Sequence, residues 1–505
     1  GCDLINLSYG EPFWQVDYGR TSQTFIDAVR KWNMNVFTSA GNDGPALSSL
    51  GAPGCLSSLI TVGAYVSPPM MSVQYSMLDP TDDDDTPSAT SYSFSSRGPT
   101  PDGFLPTLCA PGGAIAPVPR HCLQGKAQYH GTSMSSPNAC GVAACVLSAL
   151  KQSGVHIGPA ELRRALENSA LPVETSDPFA QGFGLINAPA AVAYATEHHG
   201  KLGQDLEIAV SVPSRSNARG LYLRDAAELS GPLTFGVHVE PLFEHANVRS
   251  AAETEQLLGI EIDLKLSASA PWVTTPASMV LTSGLDRGGH NFAIRLDVST
   301  LPPGAHFARV IATDASDPSR GPLFTLPVTV VIPHEGDECS TEASKTPSSC
   351  EALKLSLPAG RPIRRFLVAP DSAEWAQVKL VTQSMPKGPH SVILHAVPSA
   401  RGDVPNTALQ VKKMMMLREN SEETVHIPVK GGSTMELAMQ LSWLANPNPV
   451  DLEAIIEYGS YGMRGSAVAT DRPLLIGAAE TYARFEVSAP LRTEKVSPKA
   501  ELTSV

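Results

Sequence analysis

The chain has 505 residues, room for roughly three domains of ~150 residues, and its 17% charged and 42% hydrophobic residues are the balance of a globular protein, not a disordered one. Lys plus Arg is 37 and Asp plus Glu is 50, a net charge of −13, and no block of five basic residues occurs, so nucleic acid is not expected as a partner. The longest apolar stretch, residues 140–150, is far short of the ~20 residues of a membrane span, and eight Cys are too sparse for a disulfide scaffold and suit a reducing compartment.

The first residue is Gly, not Met, no signal peptide opens the chain, and residues 2–8 start at once as an apolar strand; the sequence reads as a fragment. Thr21-Ser22 reads as a helix cap before Phe25, Ile26, Val29 and Trp32 at helical spacing. Buried-type strands follow at 35–40 and 59–66, and strand–helix–strand order of this kind predicts right-handed crossovers and a parallel sheet. Residues 139–150 are small and apolar all round, which predicts a helix buried on every side. Leu162, Ala165 and Leu166 mark a further amphipathic helix, and 188–198 closes the layer.

After about residue 204 the period falls to two. Leu206, Ile208, Val210 and Val212 alternate, as do Ile260 to Leu266 and Phe292 to Val298 at every second position, which predicts a β-sandwich over 204–335. A polar link carrying Cys339 and Cys350 follows, with both read as free thiols because neither has a C-x-x-C partner. A second sandwich, jelly-roll or galactose-binding-like, is predicted over 351–460, with Met435, Leu437, Met439, Leu441 and Trp443 as its clearest half-buried strand. Residues 461–505 read as the start of a further, truncated domain. The fold class expected is thus the C-terminal part of an α/β parallel-sheet domain followed by all-β sandwiches.

The most informative segment is Tyr129-His130-Gly131-Thr132-Ser133-Met134-Ser135-Ser136-Pro137-Asn138. Gly131 permits a tight turn, Ser133 projects a hydroxyl, and Pro137 suits the first turn of the buried helix, whose N-terminal field favours the anion that acyl transfer generates. Alone, this reads more readily as a Ser-rich helix cap. Three companions occur in order. Ser39-Ala40-Gly41-Asn42-Asp43-Gly44 ends a strand with an Asn whose amide can donate to an oxyanion. Phe94-Ser95-Ser96-Arg97-Gly98-Pro99 and Cys109-Ala110-Pro111-Gly112-Gly113 lie between, and Gln181-Gly182-Phe183-Gly184-Leu185-Ile186-Asn187 follows.

Together these motifs resemble the subtilisin family of serine peptidases over residues 1–200. The resemblance implies a subtilisin-like sheet, Ser133 as nucleophile, Asn42 as oxyanion donor, and Ser8-Tyr9-Gly10 as the extended segment that pairs with substrate. Ser8-Tyr9-Gly10-Glu11, Val62-Gly63-Ala64-Tyr65-Val66-Ser67-Pro68, Arg164-Ala165-Leu166-Glu167-Asn168, Leu221-Tyr222-Leu223-Arg224-Asp225 and Gly321-Pro322-Leu323-Phe324 carry it further, to the tripeptidyl-peptidase II family and over most of the chain. That resemblance implies a cytoplasmic exopeptidase removing tripeptides from free N-termini, assembled into a large homo-oligomer and needing no cofactor, metal or membrane. It also implies that Glu11 holds the substrate's α-ammonium, three extended residues or about 10 Å from the bond cleaved, together with a second glutamate that this sequence does not locate.

One departure bears on activity. The triad order of subtilisins is Asp, His, Ser, yet the only His-Gly-Thr here belongs to the serine motif itself, and neither His121 nor His130 has a matching context. The acid and base are therefore expected upstream of Gly1, and the 505-residue chain is expected to be inactive alone. An endo-acting subtilase and a non-catalytic assembly piece are the competing readings. Asp82 to Asp85 read as a charged insertion loop, Arg401-Gly402-Asp403 carries no adhesion role, and Met414-Met415-Met416 read as packing.

Overall fold

The computed structural model describes the chain apart from residues 1, 12–18, 76–87, 118–125, 202, 204, 232, 243–254, 256–257, 284–289, 336, 339–349, 384, 386–389, 399–409, 444–448, 461, 465–485 and 489–505. The Asp82–85 loop, His121 and the Arg401-Gly402-Asp403 tripeptide lie outside the described residues, as does most of 461–505.

The first sheet takes β1 (Leu4–Leu7), β2 (Asn35–Ser39), β3 (Ile60–Val66), the two-residue β4 (Thr90–Ser91) and β5 (Leu108–Pro111). β1, β2, β3 and β5 run parallel in that order, and β4 lies antiparallel to the end of β3. β2 is buried at all five positions, Asn35, Thr38 and Ser39 included, so it shows no alternation of exposed and buried residues. The helices are α1 (Arg20–Arg30), α2 (Pro68–Tyr75), α3 (Thr132–Gln152), α4 (Pro159–Ser169), α5 (Pro178–Gln181) and α6 (Ala188–His198). A hairpin of β6 (Gly113–Pro117) and β7 (Lys126–His130) leads into α3. Phe37, Ile60, Val62, Leu108 and Ala110 of the sheet pack against Ala139, Ala143, Val146 and Leu150 of α3, with α4 and α6 behind.

Three expectations need correction here. Gly19, not Thr21-Ser22, precedes α1, which stops at Arg30, so Trp32 lies beyond the helix and is 73% exposed. α3 is not buried all round: Pro137, Asn138, Gly141, Ala144, Cys145 and Ser148 are exposed. Small residues carry so little polarity that their pattern hides which face meets the sheet. Pro137 also sits inside the helix, because α3 begins at Thr132, about two turns earlier than the apolar run.

The first sandwich comprises β8 (Glu207–Ser211), β9 (Leu221–Leu223), β10 (Thr234–Leu242), β11 (Glu261–Ala268), β12 (Val273–Thr274), β13 (Ser278–Thr282), β14 (His290–Leu296), β15 (Gly304–Asp314) and β16 (Pro322–Ile332). They form sheets ordered β12-β14-β10-β8 and β13-β11-β15-β16-β9 around Val237, Ile262, Leu264, Ile294, Val310 and Leu326. The second comprises β17 (Asp337–Glu338), β18 (Cys350–Leu357), β19 (Pro362–Val368), β20 (Trp375–Val381), β21 (His390–Val397), β22 (Val411–Leu417), β23 (Glu422–Pro428), β24 (Thr434–Leu441) and β25 (Val450–Gly459). Its sheets are ordered β17-β18-β25-β20-β23 and β19-β24-β21-β22.

β24 was expected to be half-buried, and it is buried at all eight positions. Met435, Leu437, Met439 and Leu441 enter the sandwich core, while the other face is covered by the first, α/β part of the chain, with Ala46 packed on Ala438 and Val397. Met415 is a core residue, but its neighbours Met414 and Met416 are 69% and 51% exposed on the opposite face of β22. Cys350 is not a free thiol. It is disulfide-bonded, to a partner outside the described residues. The antiparallel pairing of Glu338 with Glu351 brings the two sides of that link into register, an approach that sequence spacing did not reveal.

The three parts share core. Leu47, Leu105 and Phe179 of the first part, Tyr222 and Val331 of the next and Phe366 of the last form one apolar cluster. Beside it lies a buried ion network. Arg97 Nε is 3.3 Å and Arg364 Nη2 2.8 Å from Asp177 Oδ2, and Arg364 Nε is 3.3 Å from Glu436 Oε1. Burial alone would raise the Asp177 pKa, but Arg364 and Arg97 outweigh it and hold the carboxyl below its ordinary 3.8. Its share of stability is therefore complete above that value and is lost as pH falls through the lowered pKa. Arg97→Met is expected to lower stability by about 3 kcal/mol, the low end for breaking a buried pair because Arg364 still neutralises Asp177. A urea midpoint unchanged from wild type at neutral pH would contradict this.

Candidate active site

Ser133 is the second residue of α3, so its N–H belongs to the first turn, where helical amides have no carbonyl four residues back. Gly131 precedes the helix, and a Cβ there would stand 3.6 Å from Ser133 N and 3.7 Å from both Nδ2 and Oδ1 of Asn42, whose Oδ1 is already engaged by Thr132. Two hydrogen-bond donors therefore border the same small space beside the Ser133 residue, and a side chain at 131 would project into it.

The Asn42 amide is held the right way round. Thr132 N and Thr132 Oγ1 both donate to Asn42 Oδ1, at 3.0 and 3.1 Å, which fixes the carbonyl end and leaves Nδ2 without a partner among the described residues. Thr132 Oγ1 in turn accepts from Gly41 N at 3.2 Å. Gly41 has φ +104°, and a Cβ there would approach Ser96 Oγ to 2.7 Å, so this turn admits only glycine without strain. Ser96 Oγ accepts from Asp43 N at 3.0 Å, which joins the Phe94-to-Pro99 motif to the turn. Sequence reasoning named Asn42 and Ser133 but missed Thr132 and Ser96 as the residues that orient them. Thr132 had a signal, its place inside the serine motif.

Pro137 explains the next contact. It has no N–H to give to the carbonyl four residues earlier, so Ser133 O is released from the helix ladder. Ser8 Oγ donates to that oxygen at 3.0 Å, and Asn6, itself accepting from Ser136 Oγ at 2.6 Å, donates to Ser8 Oγ. The segment after β1 is thereby tied to the nucleophile residue. Ser8, Tyr9 and Gly10 are exposed, and their backbone groups have no backbone partner among the described residues. Glu11 closes the segment by exchanging two backbone hydrogen bonds with Ala52, at 2.8 and 2.9 Å. Its exposed carboxylate accepts a hydrogen bond from the Tyr9 hydroxyl, and that contact raises the Tyr9 pKa.

Among the described residues nothing hydrogen-bonds the Ser133 hydroxyl. His130, three residues before it, turns its ring toward Tyr92, 3.5 Å from Nδ1 to the phenol oxygen, and burial lowers its pKa. No group of three His, Cys, Asp or Glu side chains that could hold a metal converges among the described residues. No helix among them is long and apolar enough to cross a membrane.

Comparison with known proteins agrees with this geometry. Residues 1–184 match the model of the subtilase family, 206–331 that of the tripeptidyl-peptidase II first Ig-like domain, and 359–446 that of the TPPII galactose-binding domain-like family. The chain is 34% identical to "Tripeptidyl-peptidase 2" of Arabidopsis thaliana over its whole length, covering 35% of that protein. It is 31% identical to "Tripeptidyl-peptidase 2" of Drosophila melanogaster over 99% of its length, covering 34% of that relative. A crystal structure of tripeptidyl peptidase 2 superposes with a TM-score of 0.74 at 27% identity, covering 92% of this chain and 35% of the other. The chain thus spans about a third of the length of the relatives it matches.

Proposed function

The chain belongs to the tripeptidyl-peptidase II family of subtilases, and from that premise we propose that it carries the nucleophile and oxyanion half of a serine exopeptidase site that releases tripeptides from free N-termini. Ser133 Oγ bonds to the scissile carbonyl carbon, and Asn42 Nδ2 with Ser133 N–H receives the oxyanion. The carbon–nitrogen bond then breaks, the leaving amine takes the serine proton, and water hydrolyses the acyl-enzyme. The proton passes through a histidine oriented by an aspartate, both supplied from outside the described residues.

The convergence of Asn42 Nδ2 and Ser133 N on one space beside the serine carries this reading. Substrate lies extended along Ser8-Tyr9-Gly10, whose backbone is open to it. Ser8 touches Ser133, and Glu11 stands three residues on, at most about 10 Å along extended chain, the reach of a tripeptide. A carboxylate there pairs with the substrate's α-ammonium and counts three residues to the bond cleaved. The cytoplasmic setting and the large homo-oligomer belong to the same proposal and rest on family membership alone.

Glu11→Gln in the full-length enzyme is expected to raise KM for free-amino tripeptide substrates about tenfold and to leave N-acetylated ones nearly unchanged, since the lost ion pair is at least partly desolvated by bound substrate. Equal kinetics on free and acetylated substrates in the wild type would refute the ruler and favour an endo-acting subtilase.

A further inference from the structure

Residues 42–47 leave the end of β2 and cross the outer face of the four-stranded sheet β19-β24-β21-β22 of the second sandwich. Four backbone groups of this loop find their partners on that sheet. Lys412 Nζ donates to Asn42 O at 3.3 Å, and Arg364 Nη2 donates to Pro45 O at 3.0 Å. Ala46 N donates to His395 Nδ1 at 3.3 Å, and Leu47 N donates to Glu436 Oε1 at 2.9 Å.

Strand register explains why four residues so distant in sequence meet one loop. Arg364 pairs with Ala438, Ala438 with His395, and His395 with Lys412, so three of the loop's partners and Ala438 form a single row across four strands, on one face. Glu436 lies two residues from Ala438 and shares that face. Ala438, small among larger neighbours, leaves room for Ala46. The alternate residues of the same strands fill the sandwich core, so the row cannot turn away without a one-residue slip that would empty it.

The row is electrostatically set for its task. His395 Nε2 donates to Gln410 Oε1 at 3.3 Å while Nδ1 accepts from Ala46, which is the neutral imidazole. Burial, then the Lys412 charge, pushes its pKa down to about 4, against the Gln410 hydrogen bond. The peptide joining Asn42 to Asp43 is gripped at both ends, its carbonyl by Lys412 and its N–H by Ser96 Oγ. The Asn42 side chain is fixed separately by Thr132.

We propose that this face of the second sandwich is a positioning element for the oxyanion donor, and that Lys412 is a positioning residue acting through the Asn42 carbonyl. The inference rests on the serine-peptidase reading of Ser133 and Asn42. Without Lys412 the peptide after Asn42 is held from one end only, and Nδ2 loses its aim at an oxygen that exists only in the transition state. The loss therefore falls on turnover, not on substrate binding.

The test is a double-mutant cycle in the full-length enzyme. Lys412→Met is expected to lower kcat about tenfold with KM unchanged, the worth of one charge-assisted contact, and Lys412→Arg to recover most of it. In an Asn42→Ala background, Lys412→Met is expected to change kcat less than about twofold, because there is no amide left to aim. A peptide aldehyde, which forms an oxyanion on Ser133, should bind more weakly to Lys412→Met, while the matching peptide alcohol binds as before. Unchanged kcat in Lys412→Met, or a fall fully additive with Asn42→Ala, would overturn the inference while leaving the active-site reading intact. If Asn42→Ala itself left kcat unchanged, that reading would be the one refuted.

Discussion

Ser133→Ala in the full-length protein is expected to abolish turnover, with a fall in kcat of about 10⁶, while peptide binding and the thermal midpoint stay at wild-type values. The substitution removes one oxygen that makes no hydrogen bond among the described residues, so the fold has little to lose by it. Ser8 donates to the Ser133 carbonyl and not to its hydroxyl, and the segment that receives substrate keeps its anchor in the variant. Chemistry, by contrast, loses the atom that attacks. Full-length Ser133→Ala with wild-type turnover would show that the nucleophile lies elsewhere. For the same reason the 505-residue chain by itself is expected to show no cleavage sensitive to serine-directed inhibitors: His130 is turned to Tyr92, and no described histidine reaches the hydroxyl. Cleavage by the purified chain would require a base that the described residues do not provide.

What the sequence made legible, and what it hid, divides along the range of the interactions. The sheet was readable because β2 and β3 are buried on both faces and their residues say so without reference to anything distant. The glycine turn before Asn42 and the Ser133 helix start were readable because each is a local device, a positive-φ residue in one case and a first-turn hydroxyl in the other. The face of α3 was not, since Gly141, Ala144, Cys145 and Ser148 differ too little from Ala139 and Ala143 in polarity to reveal a side. The alternation of Met435, Leu437, Met439, Leu441 and Trp443 predicts a half-buried β24, with Glu436 and Gln440 between them on the other face. Both are buried, Glu436 on Leu47 N and two arginines, Gln440 on Gly360 O. Lys412 had no signal of any kind. It lies 370 residues from the carbonyl it holds, on an edge strand where a lysine reads as protection against pairing.

That hidden contact bears on how the remaining large effect should be measured. Asn42→Ala in the full-length enzyme is expected to lower kcat by about 10² to 10³ with little change in KM, the cost of removing one oxyanion donor in a subtilisin. The asymmetry follows from what the amide faces. In the resting site Nδ2 has no acceptor among the described residues, and a ground-state carbonyl offers it only a weak one, so its hydrogen bond matures as the oxyanion forms. Ala also removes Oδ1, which accepts from Thr132 N and Thr132 Oγ1, and part of any loss could therefore come from a loosened helix start. Asn42→Asp separates the two effects. It keeps an acceptor for both Thr132 donors but replaces the donor with a carboxylate oxygen that repels the developing anion, so it should lose at least as much turnover as Asn42→Ala while keeping the wild-type thermal midpoint. Should Asn42→Asp keep most of its turnover and Asn42→Ala lose it, Asn42 would be acting as a brace for Thr132, and Ser133 N–H would be carrying the oxyanion without it.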